Sequence, residues 1–231
     1  MPELPDVMVY VEALDKRVRG RVLEKVRLRS PFLLRTFDPP VEVVEGRRIV
    51  GVERLGKRVV LEAEGSLFLV IHLMIAGRLR WFDGEPKGLG KMALADFAFD
   101  NGTLVLTEAG TKKRASLHVV SGRDGLASLD PGGLEVVGCS VEDFGERLSR
   151  QNHTVKRSLT DPRLFSGIGN AYSDEILHAA KMSPVKLTKS FQTSDIEVLH
   201  AAVQRVLSDW RHRLRREFGL DKGLGQVPRR G

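Results

Sequence analysis

Two short stretches of this chain hold residue types that can do chemistry. The chain opens "MPELPD". Methionine is commonly removed when a small residue follows it, and Pro2 then carries a free secondary amine. An α-amino group titrates near ~7.7–8.0, against ~10.4 for lysine, so a useful fraction is neutral near pH 7. Attack of that amine on an aldehyde-like carbon gives an iminium. From a secondary amine the iminium is permanently cationic, and it serves as an electron sink. Glu3 stands beside it and can donate or accept a proton. Asp6 is a second nearby carboxylate. The same residues also read as the ordinary start of a helix, with proline and acids in the first turn. At this point both readings stand.

The second stretch is "GIGNAYSDEIL", Gly167 to Leu177. Two glycines flank Ile168 and lead into a helical pattern. Glycine allows unusual φ and close approach of another backbone. The helix start offers free N–H groups at the positive end of a dipole, a ready phosphate site. Asn170 can add an amide donor, and Lys156, about one helix earlier, can add a charge. A helix–turn–helix corner that needs glycine for geometry alone fits the pattern equally well.

The elements that must position these residues follow from periodicity. "DVMVYVEALDKRV" places Val7, Val11, Leu14 and Val18 on one helical face, with Pro5 in the first turn, Asp6 as a cap and Gly20 as the stop. Short β-branched and aliphatic runs then dominate to about residue 137: "RVLEKVRLRS", "RRIVGVERLG", "KRVVLEAEG", "SLFLVIHL", "GRLRWF" and "RASLHVVS". "DFAFDNGTLVLTE" reads as a hairpin with Asn101-Gly102 as its two-residue turn. The stretch 83–91, "DGEPKGLGK", reads as a loop and carries Lys91. Past "SLDPGGLEVVG" helical signals take over. Ser140 followed by Asp143 resembles a capping box, and Ile196, Leu199, Val203, Val206 and Trp210 line one face of a long helix. The expected fold is α+β and multidomain: a terminal helix with an antiparallel β-sandwich over residues 1–135, then an α-helical domain over 136–231.

Composition narrows the function. The net charge is +7, and Arg205 to Gly231 hold eight Lys/Arg against three Asp/Glu. A basic surplus of this kind points to an anionic partner, nucleic acid above all. No apolar run approaches the ~18–20 residues of a membrane span, and the acidic start lacks a basic signal-peptide region. The expected location is the cytoplasm, with no membrane partner. Cys139 is the single cysteine, so this sequence has no thiolate cluster for zinc and no disulfide partner.

"MPELPDV" and "GIGNAYSDEIL", about 165 residues apart, together resemble the formamidopyrimidine-DNA glycosylase / endonuclease VIII family of bifunctional base-excision repair enzymes. The resemblance covers nearly the whole chain in order: terminal helix, β-sandwich, helix-two-turn-helix. It implies a nucleoid-associated monomer acting on damaged double-stranded DNA as a glycosylase and abasic-site lyase. By position, Pro2 matches the nucleophile that attacks C1′ and forms the Schiff base. Glu3 matches the acid that assists ring opening and later proton transfers. Lys57, in "RLGKRVVLE", matches a lysine that contacts phosphate and donates a proton in β-elimination. Asn170 matches the phosphate-binding asparagine, and Lys156 a basic position before it. His72 falls in the family's "HLGMSG" segment, written here "HLMIAG". With Lys91 and Gly169 these form the implied DNA-contacting set. The flipped nucleotide and the phosphate grip follow from the same chemistry.

The chain departs from the family pattern in three places. The family's C-terminal zinc finger needs four cysteines, and the tail "GLDKGLGQVPRRG" resembles the lead-in to such a segment; zinc is expected only where that finger is present. The family's Arg-Phe pair is replaced in "TEAGTKKRASLHVV", where Thr111, Lys112 and Lys113 are the nearest candidates. Met74 stands where the family has glycine, and Ile75 where it has a void-filling methionine. These changes leave open an oxidised-pyrimidine or abasic-site enzyme in place of an 8-oxoguanine enzyme. They also leave open a non-catalytic binder of damaged DNA.

Overall fold

Short β-branched and aliphatic runs along the first half of the chain build a sheet with several strands buried for most of their length, and Val60, Phe68 and Val70 form a further apolar cluster with Leu126. The computed structural model describes residues 1–218. The basic tail over 219–231, with the lead-in segment quoted above, lies outside the described residues.

Helix α1 (Leu4–Val18) is followed by β1 (Val22–Leu28), β2 (Arg47–Leu55), β3 (Arg58–Ala63), β4 (Leu67–His72), β5 (Gly77–Phe82), β6 (Ala93–Phe99), β7 (Gly102–Glu108) and β8 (Ser116–Ser121). The strands run β5-β7-β6-β1-β2-β3-β4-β8, every neighbouring pair antiparallel. β1 and β2 share only two paired positions, Val22 with Arg48 and Leu23 with Arg47. The sheet folds over there into two four-stranded halves. One core receives Leu79, Phe97 and Leu106 from the first half and Val59, Leu69 and Val119 from the second. This is the expected sandwich. Val7, Leu14 and Val18 of α1 join the same core. Each fully buried aliphatic side chain contributes about 1.5–3 kcal/mol to holding it. The edge of β8 is covered by residues 33–36: Leu117 N–H donates to Leu33 O, and Arg35 N–H to Leu117 O.

The β6–β7 hairpin corrects the sequence reading by one residue. Phe99 pairs with Gly102, so the turn is Asp100-Asn101. Gly102 is instead the first strand residue, at φ +151°. A Cβ there would lie 2.7 Å from both Phe82 O and the Trp81 ring. Its glycine serves close packing, while Asn101 Nδ2 donates to Arg17 O and ties the turn to the end of α1.

The chain divides into two compact units. The first holds Met1–Pro2, Val7–Leu129 and the described residues from Leu214 onward; the second holds Asp130–Arg213 together with Glu3–Asp6. Helix α2 (Gly122–Ala127) closes the first unit. In the second, a short parallel pair joins β9 (Leu134–Glu135) to β10 (Phe165–Ser166). Around it lie α3 (Val141–Ser149), α4 (Val155–Thr160), α5 (Asn170–Ala180) and α6 (Thr193–Phe218). Ser140 Oγ accepts from Asp143 N–H at 3.0 Å, the cap expected for α3. The Phe144 and Phe165 rings pack at a 33° tilt with centroids 4.8 Å apart, and Tyr172 meets Trp210 edge-on at 5.9 Å.

Candidate active site and nucleic-acid interface

Glu3 immediately precedes α1 and is 2 % exposed. Its backbone N–H donates to Asp6 Oδ2 at 2.9 Å, the half of a capping box in which the third helical residue reaches back. Its own side chain does not return the bond. It runs to the start of α5, where Oε2 accepts from Gly169 N–H at 2.8 Å and Tyr172 N–H at 3.1 Å, and Oε1 from Ala171 N–H at 2.9 Å. The first amides of a helix have no partner within it, and the helix dipole favours an anion beside them. Three of those donors are satisfied by one carboxylate from 166 to 169 residues away in sequence.

This corrects the reading of "GIGNAYSDEIL" as a set of free amides. The Gly169 amide is held by Glu3, so Gly169 has no N–H to offer a phosphate. Gly167 also serves the terminus. It sits at φ +86°, and its carbonyl accepts from Leu4 N–H at 2.9 Å. A Cβ on Gly167 would lie 2.7–2.8 Å from the Leu4 side chain. Pro2 is buried. It is joined to a peptide group that Asp6 anchors, one residue before the carboxylate that α5 anchors.

Asn170 is exposed at the first position of α5. Lys156, in the first turn of α4, directs its Nζ to Asp174 Oδ1 at 2.5 Å. Asn170 and Asp174 are four apart on α5 and share a face. An amide, an ammonium and a carboxylate thus stand together at this helix start. Sequence reasoning does not single out Asp174; its spacing from Asn170 is the available signal.

Lys57 and His72 belong to the first unit. Lys57 sits with Gly56 in the two-residue turn between β2 and β3, where Leu55 pairs with Arg58; Gly56 supplies φ +60°. His72 ends β4 and faces Arg58 across the strands. Its Nδ1 accepts from Met74 N–H at 3.2 Å. Burial first, then the charges of Arg58, Lys57 and His118, push its pKa down to about 4. The imidazole is therefore neutral at pH 7 and braces the turn after β4. In that turn Gly77 N–H donates to Leu73 O at 2.9 Å, and Met74 adopts φ +52°. Ile75 is 54 % exposed. Lys91 lies apart from these on a single 3-10 turn, Gly90–Met92, and is exposed.

The loop after β7 is braced by a residue that has no sequence signal of its own. Glu108 is 1 % exposed, and its Oε2 accepts from Arg114 N–H at 2.8 Å and Ala115 N–H at 3.1 Å. Lys113 Nζ donates to the Glu108 carbonyl. Thr111 and Lys112 are exposed. Among the described residues no group of three or more His, Cys, Asp or Glu can hold a metal ion. Cys139 directs its thiol to Val136 O. Among the described residues no helix is long and apolar enough to cross a membrane.

Comparison with known proteins bears on the family and the fold. Residues 1–114 match the family model of the formamidopyrimidine-DNA glycosylase N-terminal domain, and residues 136–210 that of the formamidopyrimidine-DNA glycosylase H2TH domain. The chain is 32% identical over 213 residues to a formamidopyrimidine-DNA glycosylase of Mycoplasmopsis pulmonis, covering 88% of this chain and 75% of the relative. It resembles the crystal structure of a Lactococcus lactis Fpg mutant in complex with Fapy-dG-containing DNA at TM-score 0.84 and 25% identity, over 100% of this chain and 82% of the other. It also resembles the wild-type Lactococcus lactis Fpg (MutM) in complex with oxidised-pyrimidine-containing DNA, at TM-score 0.82 and 26% identity, over 90% and 79% of the two chains.

Proposed function

The chain belongs to the formamidopyrimidine-DNA glycosylase family, and on that premise we propose that it excises oxidised bases and cleaves the resulting abasic site through the Pro2 amine. The observation that carries this reading is the threefold clamp on Glu3, which fixes a carboxylate one residue after Pro2. A helix start needs no residue from the far end of the sequence merely to be capped. A buried carboxylate held beside the terminal residue is what proton transfer at that residue requires.

With Met1 removed, the Pro2 nitrogen lone pair attacks C1′ of the flipped nucleotide. The C1′–N bond breaks and the base leaves with its electron pair, taking up a proton from water. Glu3 takes the proton that the Pro2 nitrogen sheds after attack and delivers it to O4′ as the sugar ring opens and the C1′=N⁺ iminium forms. The iminium draws electrons from C2′; loss of the C2′ proton expels the 3′ phosphate, and a second elimination expels the 5′ phosphate. Water hydrolyses the remaining iminium and restores the amine. Lys57, at the tip of the β2–β3 hairpin, matches the family's phosphate-contacting lysine and is assigned to assist the first elimination. Lys156 and Asn170 contact phosphates and position the strand without reading sequence.

The relatives and the loop after β7 support the choice of substrates. The relatives include one protein seen with Fapy-dG DNA and with oxidised-pyrimidine DNA. The loop after β7 here presents Thr111 and Lys112, which have no ring to stack into the helix. Formamidopyrimidine and oxidised-pyrimidine lesions are the favoured substrates over 8-oxoguanine. Borohydride added to protein and abasic DNA is expected to trap a covalent complex, lost in Pro2→Gly and with an uncleaved N-terminal tag. Unchanged trapping in both variants would sink the assignment. Affinity for abasic DNA with neither trapping nor strand cleavage would mark a pure binder.

A further inference from the structure

Two protein carboxylates occupy the start of α5, and they differ in exposure and in partners. Glu3 is 2 % exposed, and both of its oxygens are held by backbone amides. Asp174 has a side chain 56 % exposed, and among the described residues its partner is Lys156 alone. Lys156 is 31 % exposed on its side chain, and α4 is held in place beneath it: Lys156 N–H donates to Pro184 O at 3.3 Å, and Thr160 Oγ1 to Lys156 O at 3.1 Å.

We propose that Asp174 is an internal stand-in for the DNA phosphate, a latch that holds Lys156 until a well-seated phosphodiester displaces it. This rests on the assignment of Lys156 and Asn170 as phosphate contacts. An ammonium 2.5 Å from one carboxylate oxygen has its best anion position filled. A phosphate approaching Asn170 meets Asp174 one helical turn on, on the same face. It gains the Lys156 charge only by taking the carboxylate's place. Because the pair is exposed, its cohesion is small and the exchange is feasible. Asp174 therefore lowers affinity for every phosphodiester and most sharply for duplex that is not bent into the site. It is a specificity-determining residue that touches no base.

Ion bookkeeping supplies the signature. Freed Asp174 collects a cation when DNA binds, which offsets part of the counterion release from the DNA. Asp174→Asn removes that uptake, so the slope of log K against log salt steepens by up to about 1. Fluorescence anisotropy of the full chain with undamaged duplex and with duplex carrying an abasic analogue, over roughly 50–300 mM salt, tests this. The variants are Asp174→Asn, Asp174→Ser, Lys156→Ala and the Lys156→Ala/Asp174→Asn double. Both Asp174 variants are expected to bind undamaged duplex about 2–10-fold tighter at the lowest salt, with the gain absent in the Lys156→Ala background. A gain that persists without Lys156 is a general charge effect and overturns the latch. Unchanged affinity in both Asp174 variants, with Lys156→Ala weakened, overturns it while leaving Lys156 a phosphate contact. Unchanged affinity in Lys156→Ala removes the phosphate assignment and the latch with it.

Discussion

Two turns of this chain carry motifs of the same family, and they are built to opposite standards. At the α5 start every departure from a smooth chain has a partner. Gly167 turns at φ +86° against Leu4, and Glu3 closes three amides. In the turn after β4 a non-glycine residue, Met74, holds φ +52°, and Ile75 stands half out of the surface. A left-handed residue with a Cβ costs about 1–2 kcal/mol. The first turn is constrained by backbone geometry that the N-terminal residues share. The second keeps its backbone path, through His72 and Gly77, and lets its side chains change. On the proposed function, catalysis belongs to the first region and the fit to the lesion to the second.

The largest test of that contrast is Glu3→Ala. It removes the proposed proton-transfer group and leaves three helix-start donors without their acceptor. Single-turnover excision is expected to fall by about 10²–10⁴, with a loss of roughly 3 kcal/mol in urea unfolding. Full activity in that variant would erase the distinction between the two turns. Next comes Gly167→Val, which adds a Cβ against Leu4 at positive φ. Its expected cost is about 2–4 kcal/mol, read as a lower urea midpoint with a matching drop in excision. A neutral result would show that Leu4 and Glu3 are held by something else.

His72 sharpens the second region through pH. Its folded pKa of about 4 lies below the usual 6.5. Between those values the unfolded chain binds a proton that the folded chain refuses. The stabilising effect of neutral His72 is therefore complete above pH 6.5 and fades as pH falls toward 4. His72→Gln should flatten the stability–pH curve in that window by about 1–3 kcal/mol. His118, whose pKa burial also lowers, leaves a residual slope of the same sign. An unchanged curve in the variant would remove His72 from the brace. The smallest effect is Met74→Gly, which relieves the left-handed residue. A gain of up to about 1 kcal/mol, with excision unchanged, is expected in thermal unfolding. A large loss would mean that the Met74 side chain holds the turn.

The sequence is most legible where the signal is local. The β-branched and aliphatic runs that build β1–β8, the Val7–Val18 face of α1 and the Ser140 cap each depend on residues within a few positions. The hairpin turn slips by one because Asn-Gly is a strong local signal, whereas Gly102 answers to the Trp81 ring about twenty residues earlier in the chain. The α5 amides mislead for the same reason at greater range. Nothing in "GIGNAYSDEIL" says that the donors are already taken; their acceptor stands at residue 3. Glu108 and Asp174 are illegible because a single acid at a strand end or on a helix has no pattern of its own.

The central claim is that residue 2, through its own nitrogen, forms the covalent intermediate. The most direct test is peptide mass mapping of the borohydride-trapped complex between the purified protein and abasic DNA. The sugar remnant is expected on the N-terminal peptide, on Pro2 with Met1 absent. A remnant on Lys57 or on any other lysine, with Pro2 unmodified, would contradict it.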